Sequence, residues 1–173
     1  MCEGVSEMLK IDGMTGEGGG QVLRTALALS VVTQTPFAID KIRAGRKKPG
    51  LQRQHLTCVL AAARVGCAHT EGAELGSTSL TFDPKACNGG VYEFAINSAG
   101  STGLVLQTLL PALWAAKESS TVTITGGTHN PMAPPFDFLK KSFAPLVHRM
   151  GAGLELQLDR HGFYPAGGGQ IRA

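Results

Sequence analysis

The sequence predicts an α+β protein made of two tandem β-α-β-α-β-β repeats, each a mixed sheet covered on one face by two helices. Three observations support this fold class. The same order of apolar segments and glycine-rich loops occurs twice, short sequence matches recur in register, and the composition is that of a folded chain. The chain has 173 residues, of which 43% are hydrophobic and 17% are charged. That balance excludes an intrinsically disordered chain.

The first copy begins with a short strand and a glycine-rich loop, followed by a run that is apolar on almost every side and so indicates a buried helix. Further along, Leu51, His55 and Val59 follow helical spacing, and Gly66 ends that helix. The predicted elements are strands at 8–12, 36–43, 69–72 and 77–83, helices at 21–33 and 51–66, and loops at 13–20 and 44–50.

The second copy repeats this order after the turn residues at 88–90. The predicted elements are strands at 91–96, 121–125 and 154–159, helices at 104–116 and 136–150, and loops at 97–103 and 126–135. We place the first repeat unit at residues 1–90 and the second at 91–165. Residues 166–173 are expected to start a truncated third unit.

Short matches between the copies indicate an internal duplication. Leu23-Arg24-Thr25 in the first copy matches Leu106-Gln107-Thr108 in the second, and Arg64-Val65-Gly66 matches Arg149-Met150-Gly151. Between these two pairs, Ile42-Arg43-Ala44-Gly45 matches Ile124-Thr125-Gly126-Gly127 at nearly the same offset along the chain. A single weak match would be chance, but a series in register indicates duplication.

The polar positions at which the copies differ are the candidates for function, since the shared apolar and glycine positions form the scaffold. Arg24 in the first copy is replaced by Gln107 in the second. Glu17-Gly18-Gly19-Gly20 corresponds to Gly100-Ser101-Thr102-Gly103, and Arg46-Lys47-Lys48 corresponds to Thr128-His129-Asn130.

The glycine-rich turn at 16–20 opens onto a helix N-terminus, where free backbone N–H groups and the helix dipole suit an anion. Two better-known phosphate motifs are excluded. Residues 45–50 have the glycine spacing of a P-loop, but Leu51-Gln52 stands where Lys and Ser/Thr are required. The turn at 16–20 also lacks the third glycine of a dinucleotide-binding fingerprint.

Almost all the positive charge lies in one stretch. The chain has a formal net charge of +3, whereas residues 39–55 alone carry six basic side chains and one acidic one. Such a run is either a solvated loop or a contact surface for phosphates or nucleic acid.

Three side chains each allow two interpretations. Glu17 either compensates the helix dipole or holds a divalent ion beside bound phosphates. Arg24, on an otherwise apolar helix, either reaches out to solvent or meets an anion. Gln107, which stands among leucines, either bonds to backbone or contacts the edge of a ligand.

Several segments, in a fixed order, resemble the RNA 3′-terminal phosphate cyclase family, and its bacterial members most closely. They are GEGGGQVLRTALALS, KIRAGRKKPGLQRQHL, EGAELGSTSLTF, SAGSTGLVLQTLLPALW, GGTHNPMAPPFDF and RHGFYPAGGGQ. The resemblance runs from about residue 8 to residue 173, and it includes the specific block IRAGR-x-x-PGL-x-x-QH. It implies the architecture shared by the cyclases and the enolpyruvyl transferases.

This resemblance implies an ATP-dependent ligase that converts an RNA 3′-phosphate into a 2′,3′-cyclic phosphate through a histidine–adenylate. ATP, Mg²⁺ or Mn²⁺, and RNA with a 3′-phosphate end would be its cofactors and substrate. By similarity, Glu17 would contact the metal ion, Gly18, Gly19 and Gln107 would contact the nucleotide, and the phosphate-bearing RNA end would be bound by Arg24, Arg43, Arg46 and His55.

The resemblance also implies that the chain is a fragment, because family members are about twice as long. Their adenylylated histidine lies near the C-terminus, and none of the five histidines here stands in that motif. We therefore expect no catalytic nucleophile in this chain. Two alternatives stay open. One is a non-catalytic, cyclase-like factor of RNA processing or ribosome assembly; the other is an enolpyruvyl transferase, whose substrate motifs are not evident.

No membrane partner is expected, since the most apolar stretch, residues 104–116, is shorter than the ~20 residues that span a bilayer. The four cysteines form no CxxC pair and residues 1–10 have no secretory leader pattern. These features predict a cytoplasmic protein with reduced thiols. The sequence leaves the oligomeric state open.

Overall fold

The computed structural model describes residues 8–173, which form two units of matching element order. The first unit consists of β1 (Leu9–Asp12), α1 (Gly20–Thr33), β2 (Phe37–Asp40), α2 (Arg53–Gly66), β3 (His69–Glu71) and β4 (Leu80–Asp83). The second consists of β5 (Val91–Ala95), α3 (Thr102–Ala115), β6 (Thr121–Gly126), a helical segment from Phe136 to Arg149, β7 (Gln157–Arg160) and β8 (Gly169–Arg172).

The two sheets have the same topology. The first has the strand order β1-β2-β4-β3 and the second the order β5-β6-β8-β7. In each sheet the first two strands are parallel, and the remaining pairs are antiparallel. Leu23 and Leu106, matched by the duplication, are 1% and 2% exposed. The predicted α+β repeat architecture is therefore confirmed.

The helices of both units share one hydrophobic core. On α1, Leu23, Leu27 and Val31 recur every four residues and are buried, which places them on one helix face. They belong to the same buried cluster as Phe37 of β2. Helix α3 packs against both α1 and α2, so the second unit is fixed against the helical layer of the first. Each fully buried side chain of this kind contributes roughly 1.5–3 kcal/mol.

The last helical segment is predicted as a single helix, but it changes geometry within its length. It comprises α4 (Phe136–Phe138), a π-helical turn (Leu139–Phe143) and α5 (Ala144–Arg149). Pro145 has no N–H to donate to the carbonyl of Lys141, four residues earlier. The wider π turn lies immediately before this proline, where the regular helical bonding is interrupted.

The expectation that residues 166–173 start a third unit is wrong, because the strand within them belongs to the second sheet. Strand β8 lies between β6 and β7 in the second sheet, with Ile171 opposite Ile124. The strand predicted at 154–159 is observed as β7, over Gln157–Arg160. The glycines at 167–169 gave a turn signal, whereas the pairing of β8 with β6 is set by a contact between distant residues.

Among the described residues, Cys58, Cys67 and Cys87 are free thiols, and burial raises the pKa of Cys58 to about 11. Cys2 lies outside the described residues. Within residues 8–173, no helix combines the length and apolar character that crossing a membrane requires. The expected cytoplasmic location stays a prediction.

Candidate functional site

Two loops of the first unit meet where its parallel strands end. Strand β1 leads into residues 13–19 and β2 into residues 41–52, and carboxyl ends of parallel neighbours lie at one edge of a sheet. Gly18 has φ +55°, and a Cβ there would lie 3.0 Å from the backbone nitrogen of Gly45. The loops therefore pack backbone against backbone, an approach that a side chain at Gly18 would prevent.

The first loop ends at the N-terminus of α1, which is left open. Gly19 is the N-cap residue, and no side chain among the described residues caps it. The first turn of α1 contains no acidic residue. Unpaired N–H groups and the positive end of the helix dipole are therefore available to an anion at this point.

Basic side chains from three elements surround this helix end. A Cβ on Gly19 would meet the guanidinium of Arg46, at 2.7 Å from its Nη2 atom. A Cβ on Gly20 would meet the imidazole of His55 and would lie 3.1 Å from Nη1 of Arg24. The glycines thus make the room in which Arg24, Arg46 and His55 lie against the start of α1.

Arg24 is buried and only partly paired. It is 8% exposed, and its Nη2 donates a 2.7 Å hydrogen bond to Oε1 of Gln21. Its Nε is buried without a hydrogen-bond partner among the described residues, and burial lowers the pKa of the guanidinium. Arg24 therefore does not extend into solvent. A buried guanidinium without a carboxylate partner is costly, and a bound anion would offset that cost.

His55 lies near Arg24, since both side chains border Gly20. Burial, together with the charges of Arg43 and Arg24, lowers the pKa of His55 to about 3. Its Nδ1 is buried without a hydrogen-bond partner within residues 8–173. The imidazole is therefore neutral at neutral pH, and it can offer one hydrogen bond to a ligand without adding charge.

Arg43 has a structural task within its own loop. Its Nη1 donates to the carbonyl oxygens of Lys48 and Gly50, at 2.6 and 2.9 Å, and its backbone has φ +55°. These bonds close the loop after β2. The guanidinium still places a positive charge beside His55, as the depressed pKa of that histidine reflects. Arg43 thus contributes charge to the site while holding the loop in shape.

The basic stretch serves two purposes. Lys47 and Lys48 are exposed, and Lys41 pairs with Asp12 at 2.8 Å. Arg43 and Arg46 instead lie toward the start of α1. Part of the stretch is therefore a solvated surface, and contact of the other part with phosphates or nucleic acid stays a prediction.

Glu17 lies at the rim of this cluster. Its carboxylate is 3.1 Å from Nη2 of Arg46, and its side chain is 90% exposed. In residues 8–173, no group of three or more His, Cys, Asp or Glu side chains is arranged to hold a metal ion. Contact between Glu17 and a metal ion stays a prediction.

Gln107 lies apart from the arginines. Although it stands among leucines, the residue is exposed rather than buried. It lines a cavity of about 290 Å³ between α3 and the segment after β6, together with Leu104, Pro111, Pro134, Phe138 and others. Within residues 8–173, no hydrogen bond joins its side chain to the first-unit cluster. Pro111 cannot donate to the carbonyl of Gln107, which therefore lacks its regular helical hydrogen bond.

One link between the units was missed from the sequence. Gln54, beside His55 on α2, accepts a 2.7 Å hydrogen bond from the backbone N–H of Ser101 at the start of α3. A Cβ on Gly100 would lie 3.0 Å from Cβ of Gln54. The only sequence signal was the QH pair within the specific block at 42–55. This bond joins the helix carrying His55 to the second glycine-rich turn.

Comparisons with known proteins cover most of the chain. The family model for RNA 3′-terminal phosphate cyclase matches residues 15–173. The chain is 62% identical over 166 residues to the RNA 3′-terminal phosphate cyclase of Koribacter versatilis (strain Ellin345), covering 96% of this chain and 47% of that protein. It is 61% identical over 165 residues to the cyclase of Ralstonia nicotianae (strain ATCC BAA-1114 / GMI1000), covering 95% and 48%.

A third relative, the RNA 3′-terminal phosphate cyclase of Ectopseudomonas mendocina (strain ymp), is 57% identical over 165 residues, with 95% and 48% covered. The chain thus spans about half the length of the curated relatives that it matches. The family match includes both glycine-rich turns, the arginine cluster and the Gln107 cavity. This chain therefore belongs to the RNA 3′-terminal phosphate cyclase family.

Proposed function

We propose that the protein converts RNA 3′-phosphate ends into 2′,3′-cyclic phosphates at the expense of ATP, and that the first unit binds the terminal phosphate. The observation that carries this proposal is the cluster at the start of α1. In the part of the chain that the structure describes, three guanidinium groups and an open helix end lie there, and the exposed carboxylate of Glu17 pairs with one of them. A phosphate monoester supplies the missing negative charge and several acceptor oxygens.

The environment of Arg24 favours a bound phosphate dianion more specifically than the charge of an exposed cation would. Its Nε is buried without a partner among the described residues, so an oxygen placed between Nε and the first N–H groups of α1 would satisfy both. Neutral His55 adds one more hydrogen bond beside this position. The site therefore suits a compact, doubly charged end group better than a diester, which carries one charge.

The Gln107 cavity is our candidate for the adenosine part of ATP. Its lining within the described residues consists of apolar side chains, glycine and the one amide, with no charged group. Such a lining suits a flat heterocycle rather than a triphosphate. The Gln107 side chain would hydrogen-bond to the edge of the base or to the ribose.

Glu17 would contact the Mg²⁺ or Mn²⁺ that accompanies ATP. A single exposed carboxylate does not hold a divalent ion by itself, but Mg²⁺ is commonly bound by one or two carboxylates together with nucleotide phosphates. Gly18 and Gly19 would then bring backbone N–H groups to the same phosphates. The ion would neutralise charge between the nucleotide and the RNA end.

The covalent adenylate requires a histidine, and we propose that it is none of the five in this chain. Within the described residues, no histidine lines the Gln107 cavity. His55 lies against Gly20, enclosed by positive charge. That environment suits contact with a phosphate.

The test is the affinity of the chain for two oligoribonucleotides that differ only in a 3′-phosphate or a 3′-hydroxyl end. We expect tighter binding of the phosphate end, and we expect Arg46→Gln to remove most of the difference. A hydrogen bond to a charged partner is worth about 1.5–3 kcal/mol, so the phosphate-end affinity should fall roughly tenfold to 100-fold.

Arg149→Gln is the matched control, because it removes the same charge from an exposed position on α5. It should leave the preference for the phosphate end unchanged. Equal binding of the two ends by the unaltered chain would contradict the proposal. If Arg46→Gln and Arg149→Gln lost the preference for the phosphate end equally, the net charge of the chain alone would explain that preference.

A further inference from the structure

Three aromatic rings in the second unit form a stack that the proposed function does not use. The centroids of His129 and His161 are 5.3 Å apart with planes at 24°, and those of His161 and Phe163 are 6.0 Å apart with planes at 7°. His129 and Phe163 lie 5.5 Å apart at 30°. These spacings fall within the range of attractive ring–ring contacts.

The stack is held by backbone contacts rather than by a buried core. The backbone N–H of Thr128 donates to the carbonyl of Gly162 at 2.9 Å, and the N–H of Gly162 donates to the Thr128 hydroxyl at 3.0 Å. A Cβ on Gly162 would collide with the backbone of Gly126 and Gly169. The hairpin that carries His161 and Phe163 is therefore fixed against the loop that carries His129.

The rings nevertheless present surface to solvent. His161 is exposed, Phe163 is 55% exposed, and the adjoining Tyr164 is 81% exposed. Apolar rings contribute most to stability when they are buried, so an ordered stack with open faces indicates a ligand surface. His161 and Phe163 thus expose aromatic surface, the kind of surface on which a nucleobase stacks.

The position of this stack in the fold relates it to the phosphate site. His129 is the counterpart of Lys47 in the duplication, and it lies in the loop after β6 that corresponds to the arginine-bearing loop after β2. The side-chain amide of Asn130 donates to the carbonyl of Ala99, in the same turn that receives Gln54 from α2. A short chain of contacts therefore joins the stack to the helix carrying His55.

We propose that His129, His161 and Phe163 form a platform on which a nucleobase of the RNA strand stacks while its terminal phosphate occupies the arginine site. This inference rests on the proposed function and adds a second point of contact with the same substrate. Stacking on aromatic rings is the usual way in which proteins hold unpaired bases, and it tolerates any sequence. The platform would let the protein select single-stranded ends whatever their sequence.

The experiment compares two 3′-phosphorylated oligoribonucleotides, one intact and one abasic in its last three nucleotides, binding to the 173-residue chain. The unaltered chain should bind the abasic strand about fivefold to tenfold more weakly, the lower end of the range for one base–aromatic contact. Phe163→Leu should bind the intact strand more weakly by the same factor and should not distinguish the two strands. Phe163→Trp keeps a ring and should retain the preference, with its tryptophan fluorescence quenched by the intact strand alone.

The outcomes separate this inference from the proposed function. If the chain prefers a 3′-phosphate yet binds intact and abasic strands equally, the platform is wrong and the phosphate site stands. If the stacking effects appear without a preference for the phosphate end, the proposed function is wrong and the platform stands. Failure of the chain to bind any of these strands would overturn both.

A change in self-association of Phe163→Leu, seen by sedimentation without a change in RNA affinity, would show that the rings form a protein interface. That result would overturn the inference. Should Phe163→Leu not fold, the abasic strand and the tryptophan quenching still decide.

Discussion

Two side chains in the first unit carry buried polar atoms that have no partner within the described residues. They are Nε of Arg24 and Nδ1 of His55. Leaving such groups unpaired costs about 1–3 kcal/mol each, and more where the group is charged. Their positions beside the open end of α1 mean that one ligand could satisfy both. At the residue scale, two unpaired polar atoms that lower stability therefore lie at the proposed phosphate site.

His55 should make the stability of the chain depend on pH. Its pKa in the folded chain, about 3, lies below the ordinary value of 6.5. Between pH 3 and pH 6.5, His55 is therefore protonated in the unfolded chain and neutral in the folded chain. Stability is therefore fully present above pH 6.5 and is lost as the pH falls toward 3, by up to about 1.4 kcal/mol per pH unit.

Urea denaturation of the chain and of His55→Gln at several pH values between 7 and 4 measures this effect. The variant should lose less stability as the pH falls. His148→Gln, at an exposed position on α5, is the matched control and should follow the unaltered chain. Parallel pH profiles for the chain and His55→Gln would show that His55 takes up its proton equally in both states.

At the scale of elements, three glycines determine which groups can lie close to the N-terminus of α1. Gly18, with φ +55°, turns the loop against Gly45. Gly19 and Gly20 leave room for Arg46, Arg24 and His55. An alanine within α1 would ordinarily favour the helix by about 1 kcal/mol. At Gly20 the close approach of His55 and Arg24 should reverse that preference.

We expect Gly20→Ala to destabilise the chain, because its Cβ would collide with the imidazole of His55. In a His55→Ala background the collision is gone, and the same substitution should be neutral or stabilising. Urea denaturation of the four chains gives the coupling free energy, which we expect to exceed about 1 kcal/mol. Gly153→Ala, where a Cβ has open space, is the control. Additive effects of the two substitutions would contradict the placement of His55.

At the scale of the molecule, α3 packs across α1 and α2, which brings two differently equipped copies of one unit together. The first copy supplies arginines, and the second supplies an apolar cavity and stacked rings. Duplication followed by polar divergence thus gives one scaffold two chemically different surfaces, which we propose bind different parts of the substrates. The bond between Gln54 and Ser101 joins α2 of the first unit to the glycine-rich turn of the second.

The purified 173-residue chain should not become adenylylated when it is incubated with labelled ATP and Mg²⁺. Covalent catalysis needs a nucleophile within reach of the α-phosphate, and within residues 8–173 no histidine lines the Gln107 cavity. Protein-bound label is measured after gel separation, with and without acid treatment. A label that is stable to alkali and labile to acid, as a phosphoramidate is, would show that one of the five histidines reacts.

The order of the elements and the duplicated topology could be predicted from the amino-acid sequence. A run that is apolar on almost every side marked α1, apolar residues at helical spacing marked α2, and the repeated element order marked α3. Glycine-rich turns marked the loops, because a positive φ and close backbone approach disfavour other residues. The candidate residues Glu17, Arg24 and Arg46 also followed from comparing the two copies. These features depend on residues that are near each other in the chain, or on matches between the copies.

The burial and the hydrogen-bond partners of the polar side chains were decided by tertiary packing. Packing buried Nε of Arg24 without a partner among the described residues and set His55 against Gly20. It exposed Gln107 in a cavity of its own and placed β8 inside the second sheet. Burial, strand partners and pKa values depend on contacts between residues far apart in sequence. The periodicity of the sequence does not predict those contacts, so the environment of these side chains could be described only from the packed structure.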